Sequence, residues 1–449
     1  VSSAPARGSR SAHDREILRL AVPAFGALVA EPLFLLADSA IVGHLGTPQL
    51  AGLGVAGTLV ATAVSLCVFL AYGTTAAVAR RLGAGDERGA LVQGIDGMWL
   101  AAGLGIAIAL VGLLVAAPLV EAFGASARVT PYAVTYLRVS LAGIPAMLVV
   151  LAATGVLRGL QDTRTPLVVA VVGAAANVVL NVTLVYGAGL GIAGSALGTV
   201  IAQNGMAMVF AVAVVRAARR HGAALRPHGP GIRAAATAGT PLLVRTLTLR
   251  VALLVMAYVA TAQGTRSVAA HQVAFTVWTF LALALDALAI AGQAIVGRYL
   301  GAGDVAGTRA ATRRMLAWGV VGGAVLAVLV VALRSAYVPL FTDDTGVRDL
   351  MSAVLVVAAV FQPVAGAVFV LDGVLIGAGD GRYLAVAGLL TLVAFLPLAA
   401  LVLVTDGGLV ALWWAFGAFM LARLATLLWR ERGDAWMVTG ATVPRRRAS

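Results

Sequence analysis

Apolar residues run along this chain in stretches longer than a soluble helix needs. Twelve such runs are separated by short polar turns: 17–43, 51–79, 94–117, 131–155, 165–187, 190–215, 234–262, 268–297, 315–336, 350–376, 383–404 and 408–429. A membrane-crossing helix takes about 20 mostly apolar residues, and each run reaches that length. Gly, Ala and Val alternate within several runs, a pattern that would also suit buried strands. Run length decides for helices, and small residues let membrane helices approach closely. The pattern predicts an all-α integral membrane protein with twelve transmembrane helices. The first run follows a basic polar tail. It is too long for a cleaved leader and carries Glu31 and Asp38, so it reads as a retained helix.

The pattern also repeats. Shifted by 218 residues, "RRLGAGDERGA" (80–90) falls on "RYLGAGDVAGT" (298–308), and "VLRGLQDTR" (156–164) falls on "VLIGAGDGR" (374–382). Pro23 meets Pro241 and Pro145 meets Pro363 at the same offset. Each half has six spans, an even number, so both halves have one orientation. This is the parallel-repeat plan of some secondary transporters, with a pseudo-two-fold axis along the membrane normal. The predicted organisation is an N-tail at 1–16, a six-helix bundle at 17–215, a linker at 216–233, a second bundle at 234–430 and a C-tail at 431–449.

Composition sharpens this reading. The chain is 61% hydrophobic and 11% charged, with a mean hydropathy of +0.98. Soluble domains are about 25% charged. Every one of the 32 basic residues is Arg. They concentrate in the tails and the even-to-odd turns, which places both termini in the cytoplasm. The net charge of +13 is thereby a topology signal and not a nucleic-acid surface. The lone Cys67 permits no disulfide within the chain.

Two acids stand in the first apolar run. A charge at the bilayer centre costs roughly 2.5–3.5 kcal/mol on insertion scales, and intramembrane acids normally face a bundle interior or a water-filled cavity. Glu31 and Asp38 are seven residues apart, about two helical turns, and so share a face. They are candidates for ion coupling; the plainer alternative is a neutral acid bonded to a neighbouring helix. Asn177 and Asn181 stand one above the other in the fifth run. Pro23 and Pro32, with Pro145, Pro241 and Pro363, are candidate kinks. Asp86, Asp162, Asp304 and Asp380 precede helices and are read as N-caps. Asp96 and the tryptophans Trp99, Trp413, Trp414 and Trp429 read as interfacial, and His271 as structural. No cofactor is called for, and the few His and acids do not cluster as an embedded enzyme would require.

With spans, repeat and turns in place, the sequence resembles the multidrug and toxic compound extrusion (MATE) family, and within it the DinF-like branch. The resemblance is carried by "EPLFLLADSAIVGHLG" (31–46), "LRGLQDTRTPL" (157–167), "VAAHQVAFT" (268–276), "LDALAIAGQAIVGRYLGAGD" (285–304) and "LDGVLIGAGD" (371–380). It implies an antiporter of the bacterial inner membrane that exports cationic or amphipathic small molecules against inward H+, or less readily Na+. A lipid or polysaccharide-precursor flippase of the same superfamily is the alternative. It also implies a monomer in lipid. Asp38, Asn177, Asn181 and Thr199 would form the N-half cation site, and Asp286 and Asp372 would face a C-half substrate cavity. Many relatives carry Asp where this chain has Asn181, one anionic ligand fewer for Na+, which shifts the expectation towards H+.

Overall fold

The computed structural model describes residues 7–442, and in this range it is helical throughout, without strands. The helices are α1 (Arg7–Gly43), α2 (Thr47–Leu66), α3 (Phe69–Gly83), α4 (Glu87–Ala122), α5 (Thr130–Leu141), α6 (Ile144–Gly159), α7 (Arg164–Val182) and α8 (Gly191–Arg220). The second half has α9 (Gly229–Ala262), α10 (Thr265–Gly301), α11 (Val305–Tyr337), α12 (Thr345–Val360), α13 (Gln362–Gly377), α14 (Gly381–Val404) and α15 (Gly408–Arg432). Ten helical stretches are long and apolar enough to cross a membrane, with α2 and α3 forming one of them. Two further spans are bent pairs: α5 and α6 meet at 51°, and α12 and α13 at 49°. Twelve spans result.

The bends sit where the repeat places its prolines. Pro145 follows the first break and Pro363 the second, each near the start of the second member of its pair. A proline there removes a backbone donor that the first turn does not use. Pro23 and Pro32 lie within the unbroken α1, and Pro241 within α9. Apolar side chains remain exposed along the spans, among them Leu114 and Val404 at 82% each. Lipid is the solvent that makes such surfaces stable.

The short turns are built alike. Gly85, Gly303 and Gly379 hold φ of 76°, 77° and 75°, where a side chain is strained. Gln161 takes the position equivalent to Gly379 and adopts φ 66°. Asp86 accepts the Gly89 amide at 2.8 Å and Asp304 that of Gly307 at 2.7 Å, capping α4 and α11. Asp162 accepts the amides of Arg164 and Thr165 at 3.0 Å each. Asp380 departs from the expected cap: its carboxylate accepts from Arg430 Nε at 2.6 Å, and no cap bond forms.

The chain divides into two units, Gly26–Gly239 and a second that joins the described residues up to Phe25 to those from Thr240 onward. This shifts the boundaries expected at 17 and 234. The division falls inside α1 just after Pro23, and inside α9 just before Pro241. The start of α1 belongs with the second half for a physical reason. Arg314 and Trp318 donate to Asp14, while Arg298 and Tyr299 donate to Glu16. Ile17, Leu20 and Ala24 are buried behind them.

The connection between halves is shorter than expected, because α8 runs to Arg220 and α9 begins at Gly229. It is pinned to α4. Asp96, expected at the interface, is buried and accepts the His228 amide at 3.0 Å, and Trp99 Nε1 donates to Leu225 O at 3.1 Å. Two other expectations change. Trp413 is a core residue, not an interfacial anchor, packed edge-on against Trp278 and Phe416 and beside the buried His271. Trp414, about 100° further round the helix, is exposed. The stretch after α15 is not a free tail as far as it is described: Trp436 is buried and Gly440 N donates to Leu300 O at 3.0 Å.

Candidate functional site

The Gly26–Gly239 unit brings four helices to one buried polar cluster. Asp38 comes from α1, Tyr136 from α5, Asn177 and Asn181 from α7, and Ser195 and Thr199 from α8. All six are at most 8% exposed. Within α7 and α8 the pairs are four residues apart, so each presents two polar groups on one face. Close approach of these two helices depends on small residues. A Cβ on Gly198 would lie 2.1 Å from Asn181 Oδ1, and one on Gly194 would lie 2.7 Å from Leu184 O.

Asp38 is the acceptor at the centre. Oδ1 accepts from Asn181 Nδ2 at 2.8 Å and from Ser195 Oγ at 2.5 Å, and Oδ2 accepts from the Tyr136 hydroxyl at 3.1 Å. Asn181 Nδ2 also donates to Asn177 Oδ1 at 3.1 Å, and Asn177 Nδ2 donates to Thr199 Oγ1 at 3.1 Å. One carboxylate thus gathers three donors, and charge-assisted bonds of this kind are the strong ones. Two of them are hydroxyls, which also accept when rotated. Asn181 Oδ1 is buried without a hydrogen-bond partner. The two hydroxyls beside Asp38 are groups that can either donate to a carboxylate or accept from a carboxylic acid.

A π-helical turn, Thr183–Gly187, follows α7 directly, and its Tyr186 hydroxyl donates to Ile41 O of α1 at 2.5 Å. Such turns are frequent at functional sites. It fastens the end of α7 to α1 three residues beyond Asp38.

The family model described as MatE matches residues 23–183 and again 241–401. The chain belongs to the MATE family. These two matches are separated by the 218-residue offset of the repeat, at both their starts and their ends. The curated relatives of this MATE protein include "Protein DETOXIFICATION 44, chloroplastic" of Arabidopsis thaliana, 31% identical over 439 residues, covering 92% of this chain and 81% of that one. "DNA damage-inducible protein F" of Escherichia coli is 29% identical and covers 94% of each chain. Among solved structures, a mutant form of the Vibrio cholerae MATE transporter VcmN superposes with a TM-score of 0.88 at 22% identity, covering 96% of this chain and 98% of that one. The MATE family consists of multidrug and toxic-compound efflux transporters acting on small molecules, not of enzymes, and this member is a multi-pass membrane protein.

Of the residues named from the sequence, Asp38, Asn177, Asn181 and Thr199 come together. Tyr136 and Ser195 were not named. Ser195 had a signal, its position one turn before Thr199; Tyr136 had none. Glu31 is exposed and stands apart from the cluster, two turns along α1. In the second unit, Asp286 on α10 is half-buried. Asp372 sits in an ion cluster that the sequence did not suggest. Arg245 of α9 and Arg423 of α15 both donate to its Oδ2, the latter at 2.7 Å. The carboxylate charge is thus balanced by two guanidinium groups.

Proposed function

We propose that this MATE protein is a proton-coupled antiporter that exports amphipathic small molecules, with Asp38 as the proton carrier. The observation that carries the reading is an acid buried in a membrane helix and met by three hydrogen-bond donors on three other elements. Such an acid is costly to place in a bilayer, and function is its usual justification. Protonation removes the charge that holds Tyr136, Ser195 and Asn181 in their present directions, so the packing of α1 against α5, α7 and α8 changes with the proton. H+ is preferred over Na+ because the cluster holds one carboxylate, and hard cations favour several anionic oxygens. Both termini are assigned to the cytoplasm from the placement of Arg, and the unit of action is taken to be the monomer.

The test is dye efflux in proteoliposomes under a pH gradient or a Na+ gradient imposed separately. Efflux should follow the pH gradient and fall at least tenfold in Asp38→Asn. Efflux that survives this substitution under either gradient rejects the assignment.

A further inference from the structure

Two helices belong to both units. α1 begins in the second unit and passes into the Gly26–Gly239 unit just after Pro23, and α9 begins in the Gly26–Gly239 unit and passes into the second just before Pro241. The residues that hold these two starts share one position of the repeat, since Arg314 lies 218 residues beyond Asp96. Arg314 of α11 donates to Asp14 through Nε at 2.5 Å and Nη2 at 2.7 Å, and Trp318, one turn on, adds its indole N–H at 2.8 Å. Asp96 of α4 accepts the backbone N–H of His228 at 3.0 Å, and Trp99, about one turn on, donates to Leu225 O at 3.1 Å. His228 directly precedes α9, and its carbonyl accepts the helical bond from Ile232 at 2.9 Å.

The chemistry is inverted between the halves. At Arg314 the crossing helix brings the acid and the neighbouring helix brings the guanidinium. At Asp96 the neighbouring helix brings the acid, and the crossing helix brings a backbone N–H at its positive end. Ile232 and Ala234, the repeat partners of Asp14 and Glu16, carry no charge. The residue types have thus been exchanged on both sides of the contact while the contact is kept. Stability alone is a weak reason for keeping it: the Asp14 and Arg314 side chains are 25% and 38% exposed, and such pairs usually add little. What the fork supplies is a fixed direction. Asp96 is buried, and a Cβ on Gly231 would lie 1.9 Å from its Oδ2, so this contact is fitted to a glycine.

We infer that Arg314 and Asp96 are positioning residues for transport. Each fixes the start of a helix whose remainder lies in the other unit, so a displacement in one unit reaches the other along α1 or α9. This rests on the reading of the chain as an exporter and assigns the groups that transmit its movement. Asp38 stands 24 residues beyond Asp14 on α1, a distance of about 36 Å at the helical rise. A change of packing around Asp38 is delivered to α10 and α11 only while Asp14 and Glu16 stay attached there. The two contacts therefore stay closed throughout the transport cycle.

The test uses the full chain in proteoliposomes, with Cys67→Ala as background. Asp14→Cys with Arg314→Cys removes the fork, and a reducible bis-methanethiosulfonate cross-linker replaces it with a covalent tie. Dye efflux is expected to fall at least fivefold in the reduced double variant and to return to within twofold of the background when cross-linked. Dye binding and the thermal midpoint should stay close to the background in both states. Efflux indifferent to breaking the fork overturns the proposal. So does efflux blocked by the cross-link, which marks a contact that has to open. Efflux lost in step with binding and thermal midpoint marks a purely structural contact and overturns it too. At the other position, Asp96→Ala and Gly231→Ala should each lower efflux severalfold, and the double variant should be no worse than either, because both remove one contact. Fully additive losses there reject the assignment of Asp96. The two readings fail separately: an unmutated protein without efflux under either gradient refutes the exporter, whereas the cross-linking comparison is read whichever ion drives efflux.

Discussion

At the scale of single residues, the N-half cluster is defined by who donates and who accepts. Asn181 is the position to vary. Asn181→Asp places a second carboxylate against Asp38 and is expected to introduce Na+-dependent transport where the unmutated chain follows H+, measured by efflux under each gradient. Gly198 sets the distance between α7 and α8. Gly198→Val forces side-chain atoms into Asn181, and about 1–3 kcal/mol of stability should be lost, seen as a lower thermal midpoint in detergent. Much of this cluster was legible in the sequence, because an acid and two amides one helical turn apart are conspicuous among Ala, Val and Leu. Tyr136 was not, since a tyrosine near a membrane is ordinarily an interface residue. The Asp372 clamp was illegible for another reason: its arginines lie 127 and 51 residues away, and only the packing of α9, α13 and α15 joins them.

At the scale of elements, the repeat explains why the turns agree and where they differ. The offset of 218 residues lines up bends, prolines and turn glycines, and these were readable as patterns. Capping was readable at Asp86, Asp162 and Asp304 but failed at Asp380, where Arg430 on α15 competes for the carboxylate. A test follows from this difference. Asp304→Ala should cost about 1 kcal/mol through loss of a helix cap. Asp380→Ala should cost a similar amount only while Arg430 is present, and a double-mutant cycle with Arg430→Gln should show the coupling. Gly379→Ala should cost roughly 1–2 kcal/mol from the left-handed backbone alone. The bends at Pro145 and Pro363 lie at helix starts, so their replacement should be tolerated better than insertion of proline within α10.

At the scale of the whole molecule, topology is the property most open to test. Cys67 is the sole cysteine and is buried, so Cys67→Ala gives a clean background for labelling. Ala12 and Thr442 are both exposed, and cysteines placed at these two positions should both react from the cytoplasmic face in inverted vesicles. Orientation is assigned from Arg placement and awaits this labelling; the division into units was not legible in the sequence. The sequence repeat suggests two halves cut at the linker, but hydrogen bonds from Arg314 and Arg298 draw the first turns of α1 across that cut.

That crossing has a bearing on how the protein can be taken apart. A fragment starting at the linker would carry Arg298 and Arg314 without Asp14 and Glu16, and an apolar face without Ile17 and Leu20. Separately produced halves should therefore aggregate, whereas a linker nicked between residues 222 and 227 in the assembled protein should leave both pieces co-purifying.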